Sequence, residues 1–389
     1  MTKRRSSRAK QRASSTRQII YTLLILLLAV VVYVFGLGEE ENQEEANAPA
    51  TIAPAQPPTE QDWYSLYFTQ VINSDEDSAH HGAAVERALI QSIDSAQNTI
   101  DGALFELNAP DTTAALVRAL QRGVKVRLVV DDEHAFEDPE STIEEVIAAG
   151  AEVHNDARGA LMHNKFLIID GKELWTGSMN LTRNDIYNNN NHFMMIRSPE
   201  MAQNYQSEFD EMFTDQVFTR RSDSRKPPNP SLSIQGTQIE TYFAPEDGIV
   251  IENRLVQLIG SAQKSVRVMA FSFTLDAVGG ALIERLQNGV VVEGVFETTG
   301  SLQGQMPKLA CAGANVRQDG NPDILHHKVF IIDEQIVVMG SFNFSNSARD
   351  DNNENMLVIN NPGIAAAFLT EWQARFNEGR IPKPEDLKC

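Results

Sequence analysis

The sequence contains an internal duplication, and this feature constrains the fold more than any other. Residues 89–107, LIQSIDSAQNTIDGALFEL, align with residues 255–273, LVQLIGSAQKSVRVMAFSF, at a constant offset. The alignment continues into the next segments, where Gly123 lies opposite Gly289. A repeated unit of this length predicts two structurally similar halves within one chain.

The second part of each copy aligns at a slightly shorter offset. LMHNKFLIIDGKELWTGSMN at 161–180 matches ILHHKVFIIDEQIVVMGSFN at 324–343. Farther on, SEFDEMF at 207–213 matches TEWQARF at 370–376. The two copies therefore contain the same elements in the same order, up to a closing helix.

A polar segment with three prolines, RRSDSRKPPNPSLS at 220–233, separates the copies and predicts a linker. It divides the folded part into halves at 63–219 and 234–389. In each half, apolar residues at helical spacing alternate with β-branched runs that are typical of buried strands. We therefore predict an α/β fold of two homologous α/β/α sandwich halves, related by a pseudo-twofold axis, with the active site at their interface.

The chain before the first half predicts attachment to a membrane. Residues 1–18 hold seven cations and no acid, and residues 19–38 are an uncharged, largely apolar run. That run matches the ~30 Å hydrocarbon core of a bilayer and is longer than the apolar region of a typical signal peptide. We predict a basic cytoplasmic tail, one transmembrane anchor and, at 39–62, a disordered acidic and proline-rich linker. The catalytic part would be extracytoplasmic, and secreted if the anchor is cleaved.

Charge and cysteine content narrow the function. Beyond residue 18 the chain carries 26 Lys and Arg against 53 Asp and Glu, and such a surface repels polyanions. Nucleic acid is therefore a possible but less favoured partner. Only two cysteines occur, Cys311 and Cys389, in no zinc-binding pattern, and one disulfide between them remains open. Oligomerisation has no sequence signal, and we expect a monomer.

The aligned stretches carry the candidate chemistry. Each copy holds a histidine, a lysine, an aspartate, a serine and an asparagine at identical spacing: His163, Lys165, Asp170, Ser178 and Asn180, and His326, Lys328, Asp333, Ser341 and Asn343. On a strand, positions i and i+2 point to the same face, so each histidine should project beside its lysine. Since each position matches by chance about once in twenty, two complete copies indicate function.

The pattern HxKxxxxDxxxxxxGSxN, present twice, resembles the signature of the phospholipase D superfamily over residues 63–380. This resemblance implies a phosphodiesterase that uses neither a metal ion nor another cofactor. One histidine would form a phosphohistidine while the other protonates the leaving group. Family precedent favours His163 as the nucleophile and His326 as the acid, an order that the residues themselves leave open. The lysines and asparagines would donate hydrogen bonds to the phosphoryl oxygens.

Two further features of the signature concern the roles of its acidic residues. Asp170 and Asp333 belong to it, but they fall at strand ends, where we expect them to hold a hairpin more than to take part in catalysis. Glu354 matches an acidic residue that orients a histidine in the family, whereas Asn191 stands at the equivalent place in the first copy. Either one histidine is supported by a carboxylate and the other by an amide, or a dispensable partner has been lost.

Three functions fit these observations. The first is a phospholipase D that hydrolyses glycerophospholipid head groups to phosphatidic acid, a role in lipid degradation. The second is a phosphatidyltransferase similar to cardiolipin synthases, in which an alcohol resolves the same intermediate. The third is a membrane-tethered extracytoplasmic endonuclease, which the acidic surface disfavours.

Overall fold

The computed structural model describes residues 59–72, 81–221 and 224–389. The predicted cytoplasmic tail, the transmembrane anchor at 19–38 and most of the linker at 39–62 lie outside these residues. Among the residues that are described, no helix is both long and apolar enough to cross a bilayer.

Each half contains one mixed eight-stranded sheet. The first-half strands are β1 (Thr59–Glu60), β2 (Tyr64–Phe68), β3 (Thr99–Leu104), β4 (Lys125–Val130), β5 (Glu152–Asn155), β6 (Lys165–Ile169), β7 (Glu173–Gly177) and β8 (His192–Arg197). The second-half strands are β9 (Ser231–Ile234), β10 (Thr237–Ala244), β11 (Ser265–Ala270), β12 (Val291–Phe296), β13 (Asn315–Gln318), β14 (Lys328–Ile332), β15 (Ile336–Gly340) and β16 (Glu354–Asn360).

The strand order is the same in both sheets. It runs β1-β2-β8-β7-β6-β3-β4-β5 in the first half and, read in the same direction, β9-β10-β16-β15-β14-β11-β12-β13 in the second. Every strand thus has a counterpart eight numbers later. In each half three strands are parallel, β3, β4 and β5 or β11, β12 and β13, and the next strand in the chain, β6 or β14, pairs antiparallel with the first of them. The predicted duplication is confirmed at the level of topology.

The helices also correspond between the halves. The first half contains α1 (Ala84–Ser95), α2 (Pro110–Gln121), α3 (Ile143–Ala148), α4 (Arg183–Tyr187) and α5 (Pro199–Phe213). The second contains α6 (Gly248–Ser261), α7 (Asp276–Gln287), α8 (Met306–Cys311), α9 (Asn346–Asp350), α10 (Pro362–Glu378) and a short α11 (Pro384–Leu387). The long helices α5 and α10 begin alike, with a capping Ser198 or Asn361 followed by proline at the first helical position.

An apolar core joins the two halves. Helices α1 and α2 pack on one face of the first sheet, and α6 and α7 on the corresponding face of the second. The other face of each sheet is covered by α5 or α10, and these layers share one cluster of buried side chains. Tyr205 of α5, for example, contacts Phe166 of its own sheet and Phe243 of the other half at ring distances of 5.0 and 5.1 Å. Because burial of one such side chain contributes roughly 1.5–3 kcal/mol, the halves stabilise each other.

Two boundaries lie earlier in the chain than the sequence predicted. Strand β1 pairs with β2 and lies within the range assigned to the N-terminal linker, and β9 begins before the predicted end of the central linker. Both are short edge strands, of two and four residues, and segments this short give little sign of pairing. The structure also joins Cys311 and Cys389 in a disulfide, which ties the C-terminus to α8.

Candidate active site

Reciprocal backbone contacts between the halves bring the two motifs together. The backbone nitrogen of His163 donates to the carbonyl of Asn353 at 3.0 Å, and that of His326 donates to the carbonyl of Asn190 at 2.9 Å. These contacts are equivalent with the halves exchanged, as a pseudo-twofold axis requires. Each histidine therefore lies against the other half. His163 lies next to Glu354, which follows Asn353, and His326 lies next to Asn191, which follows Asn190.

His163 is paired with the carboxyl group of Glu354. Its Nδ1 lies 2.8 Å from Glu354 Oε2, and both side chains are buried. Burial raises the pKa of Glu354 to about 8, although the charge of Lys165 opposes this. Burial, followed by the charges of Lys165 and Lys328, lowers the pKa of His163 well below its usual range. In its ionised form, Glu354 accepts a hydrogen bond from Nδ1, and the lone pair of His163 is then on Nε2.

His326 is supported through an amide. Its Nδ1 lies 3.0 Å from Asn191 Oδ1 and 3.3 Å from Asp185 Oδ1, and Asn191 Nδ2 donates to the same carboxylate oxygen at 2.8 Å. Burial would raise the pKa of Asp185, but the electrostatic influence of His326 and hydrogen bonds from His326, Asn189 and Asn191 hold it below its usual range. Burial lowers the pKa of His326 to about 3. An acid therefore supports each histidine.

Asp185 is a residue that the sequence analysis missed. In the aligned copies it corresponds to Ala348, while Asn191 corresponds to Glu354. The acid has thus moved from the start of a strand to the preceding short helix, α4. Thr182 caps this helix, and Asp185 also accepts a hydrogen bond from the backbone nitrogen of Asn180. The exchange was visible in the alignment, but only the fold shows that each acid reaches Nδ1 of the histidine in the other half.

The two lysines lie in equivalent surroundings. Lys165 Nζ donates to the carbonyl of His163 at 2.7 Å, and Lys328 Nζ to that of His326 at 2.8 Å. An ammonium group has three N–H donors, so each of these bonds uses one. Burial lowers the pKa of Lys165 to about 8, against the raising effect of Glu354, and burial together with Lys165 lowers that of Lys328 well below its usual range.

The signature serines contact the residues that orient the histidines. Ser178 Oγ donates to Asn191 Oδ1 at 2.7 Å, and Ser341 forms a hydrogen bond with Glu354. Both serines are fully buried, so they are placed for support and not for direct contact with a phosphate.

The signature asparagines differ in their contacts. Asn180 Nδ2 donates to Glu106 Oε2 at 3.3 Å. The side-chain oxygens of Asn180 and Asn343 are buried and have no hydrogen-bond partner. Neither asparagine therefore has its hydrogen-bonding capacity filled by the protein.

Asp170 and Asp333 lie at the other ends of their strands, about 20 Å along the chain from the histidines at ~3.3 Å per residue. The carboxylate of Asp170 accepts hydrogen bonds from the backbone nitrogens of residues 97–99, with a shortest distance of 2.7 Å. Asp333 does the same for residues 263–265. Both aspartates have positive φ in the hairpin turn, at 51° and 52°. They are placed to hold the turn against the preceding helix.

A second pair of buried acids positions the backbone before each histidine. Asp131 Oδ2 accepts the backbone nitrogen of Met162 at 3.0 Å, and Glu297 Oε2 accepts that of Leu325 at 2.8 Å. The sequence analysis did not select either residue, although they align in the two copies.

One acidic group in the described part of the chain has oxygens close enough to hold a metal ion, namely Asp131, Asp132 and Asp156. Its two buried members already have partners: Asp131 accepts hydrogen bonds from the backbone and ring of His134, and Asp156 forms an ion pair with Arg158.

The duplicated α/β scaffold thus brings its two His-x-Lys motifs together at the interface between the halves. A family model described as "Cardiolipin synthase, PLD-like domain" matches residues 89–213 and 255–378, once in each half. The chain therefore belongs to the phospholipase D superfamily, as the motifs predicted, and is a phosphodiesterase hydrolase of that group.

Similar proteins match one copy of the duplication or the whole fold. A mitochondrial cardiolipin hydrolase of Chlamydomonas reinhardtii is 32% identical, over 36% of this chain and 74% of the relative. A phospholipase D of Rickettsia prowazekii is 32% identical, over 36% of this chain and 69% of the relative. The crystal structure of phosphatidylserine synthase from Haemophilus influenzae superposes over 79% of this chain and 90% of its own, with a TM-score of 0.56 and 14% identity. That structure shares the fold across both halves.

Proposed function

We propose that the protein is a phospholipase D that hydrolyses a glycerophospholipid to phosphatidic acid and a free head-group alcohol. The observation that carries this proposal is the pair of buried histidines at the interface, each with an acid acting at its Nδ1. The lipid class is supported by similarity to a cardiolipin hydrolase and to phospholipases D, and by the acidic surface, which disfavours polyanionic substrates.

In the proposed reaction, Nε2 of His163 attacks phosphorus and forms a P–N bond. The bond to the head-group oxygen breaks, and His326 gives that oxygen its Nε2 proton. A water molecule then gives its proton to His326 and attacks phosphorus, which breaks the P–N bond and releases phosphatidic acid. Lys165 and Lys328 would donate to the non-bridging oxygens, and the bound phosphodiester anion would raise the pKa of both histidines.

The unequal support fits this division of roles. Glu354, in direct contact with His163, favours the tautomer that has a free Nε2 for attack. Asp185, held ionised by its hydrogen bonds, supplies the negative charge that favours a protonated His326. When the surroundings of two titratable groups give them different pKa values, the groups can take different roles, one as the acid and the other as the nucleophile.

We also propose that residues 19–38 anchor the protein in the cell membrane, with the catalytic part on the extracytoplasmic side. The Cys311–Cys389 disulfide supports this side, because such bonds persist in oxidising compartments. Proteolysis of intact cells or spheroplasts should degrade the catalytic part, and its survival until the membrane is broken would contradict the proposal.

A phosphatidyltransferase is the second candidate, because the matching family model is described by cardiolipin synthase. The two activities share the covalent intermediate and differ in whether water or an alcohol resolves it. Hydrolysis in water alone, with no dependence on an added alcohol acceptor, would favour the phospholipase.

The test uses the full-length protein in detergent micelles with EDTA present. Phosphatidylcholine vesicles with added ethanol, and in parallel single-stranded DNA, are offered to the wild type and to His163→Asn. Release of choline with formation of phosphatidic acid and phosphatidylethanol, absent in the variant, supports the proposal. DNA cleavage without lipid turnover would overturn it in favour of the nuclease.

A further inference from the structure

Equivalent phenylalanines form part of the catalytic centre in both halves. The Phe105 ring lies 4.8 Å from the His163 ring and 4.6 Å from Lys165 Nζ. The Phe271 ring lies 5.1 Å from that of His326, and Lys328 Nζ lies 4.8 Å from it. Whatever occupies the space beside either phenylalanine is therefore close to the reacting groups.

The neighbours of these phenylalanines break the symmetry. In the first half, His134 packs on Phe105 with ring centroids 4.5 Å apart, and Asp131 holds its Nδ1 at 2.8 Å. In the aligned second copy the position of His134 is taken by Gly300, which has no side chain and a φ of 87°. A cavity of about 170 Å³ lies there. Its walls combine the apolar side chains of Phe271, Phe273, Phe296 and Met306 with the hydroxyl-bearing residues Ser272, Thr274, Thr299 and Ser301.

The first half presents polar groups at the matching positions. Glu106 stands where the second half has Ser272, and burial, followed by the charge of Asp185, raises its pKa to about 7. Asn108, the counterpart of Thr274, borders an open cleft of about 410 Å³ that also includes Glu140, Arg183 and Asn188. One side of the centre therefore offers a cavity lined by aromatic side chains and hydroxyl groups, and the other a cleft lined by charged and amide groups.

We propose that the cavity beside Phe271 is a subsite for the hydrocarbon of the retained, acylated arm of the substrate, an inference that rests on the proposed phospholipase activity. A cavity of about 150 Å³ holds a benzene ring, so the volume of this one is enough for about six carbon atoms. In an in-line displacement the retained arm is equatorial, off the axis that joins the two histidines. It can therefore reach the cavity whichever histidine attacks.

A hydrocarbon fits the cavity better than a cationic head group does. The ammonium of Lys328 already lies over the Phe271 ring, and a second cation on this aromatic wall would be repelled. An acyl segment has no such cost and removes apolar surface from water. Two extra methylenes that enter the cavity should raise kcat/KM by roughly tenfold.

The test compares dibutanoyl and dihexanoyl phosphatidylcholine, both kept below the concentrations at which they form micelles. Thr299 is an exposed residue at the cavity, so Thr299→Trp should fill it without changing the core. The matched control is Glu133→Trp, at the equivalent exposed position of the first half. The wild type and Glu133→Trp should prefer the longer lipid by about tenfold, and Thr299→Trp should lose this preference.

Each outcome either supports or contradicts the proposed subsite. If Thr299→Trp fails to fold, Thr274→Trp fills the same cavity from another exposed position, with Asn108→Trp as its control. An unchanged preference in the folded cavity variant overturns the subsite and leaves the phospholipase intact. If the wild type hydrolyses neither lipid but cleaves single-stranded DNA, the proposed function falls and the subsite with it.

Discussion

In the first half, the acid that acts on the opposite histidine stands on the short helix α4, as Asp185. In the second half it stands at the start of β16, as Glu354, and the matching helix position is Ala348. Glu354 contacts His163 directly, whereas Asp185 acts on His326 both across 3.3 Å and through Asn191. The comparison teaches that the duplicated scaffold has kept one acid per histidine while changing its position, and with it the strength of the contact.

The largest expected effects come from the histidines themselves. His163→Asn and His326→Asn should each lower kcat on phospholipid by about 10⁴-fold or more, because each removes a group that acts in the transition state.

An activated p-nitrophenyl phosphodiester, whose leaving group needs no acid, separates the two roles. With it, stopped-flow measurements should show a burst of p-nitrophenol from His326→Asn and none from His163→Asn. A burst from His163→Asn alone would reverse the assignment.

Moving the acid of the first half to the position that the acid occupies in the second half tests this comparison directly. Glu354→Gln and Asp185→Ala should each lower kcat by about 10²-fold, because either change leaves one histidine without its acid. The double variant Asp185→Ala with Asn191→Glu gives the first half the pattern of the second. Its kcat should recover to within about tenfold of the wild type, as measured by choline release.

The control for this exchange is Asn191→Glu alone, which places two acids beside one histidine. Its repulsion with Asp185 should make it less active than the double variant. If the double variant is no better than Asp185→Ala, the two positions are not equivalent and the account of the exchange is wrong.

The effect of pH on kcat/KM should be smaller than the effect of replacing either acid. Burial lowers the pKa of Lys165 to about 8 and also lowers that of Lys328, so both ammonium groups lose their protons as the pH rises and kcat/KM should fall by about tenfold or more per pH unit. Glu354 raises the pKa of Lys165, so in Glu354→Gln the decline should begin at lower pH. Measurements of kcat/KM from pH 6 to 10 in both proteins check this, and an unshifted decline would assign the titration to another group.

The smallest effect on catalysis is expected at the hairpin turns. Asp170→Asn and Asp333→Asn should each lower the free energy of unfolding by about 1–2 kcal/mol and change kcat by less than about twofold. Burial would raise the pKa of both aspartates, but hydrogen bonds from backbone nitrogens hold it below the usual range. Their contribution to stability is therefore present at neutral pH and lost as the pH falls through the folded pKa.

These two variants are compared by urea denaturation at pH 7 and by choline release. Equal destabilisation in the two halves would agree with their matching hydrogen bonds. A loss of kcat by 100-fold in either variant, with the protein still folded, would assign that aspartate a catalytic role instead.

Much of this architecture followed from the duplication. The aligned copies predicted two α/β halves, and the strand at Lys165–Ile169 and its hairpin partner formed where β-branched residues and the Asp-Gly turn placed them. These features depend on local sequence, so they could be read before the fold was known.

Long-range contacts could not be predicted in the same way. Glu354 acts on a histidine 191 residues away, in the other half, and no local pattern says which of two histidines it meets. Asp185 was missed because its helix is only five residues long and its role depends on that same interface. The cavity beside Phe271 is lined in part by Gly300, where the first half has His134, and a difference outside the repeated motif gave no sign of it.

The central claim is that the phosphoryl group of the substrate is transferred to His163, while His326 serves first as the acid and then as the base. The most direct measurement is to mix the His326→Asn variant with a ³²P-labelled p-nitrophenyl phosphodiester, quench it in alkali, and locate the label by peptide mass spectrometry. We predict an acid-labile phosphoryl group on the peptide that contains His163, and none in His163→Asn. Labelled product without any labelled histidine, or a label on His326 in the His163→Asn variant, would contradict the account.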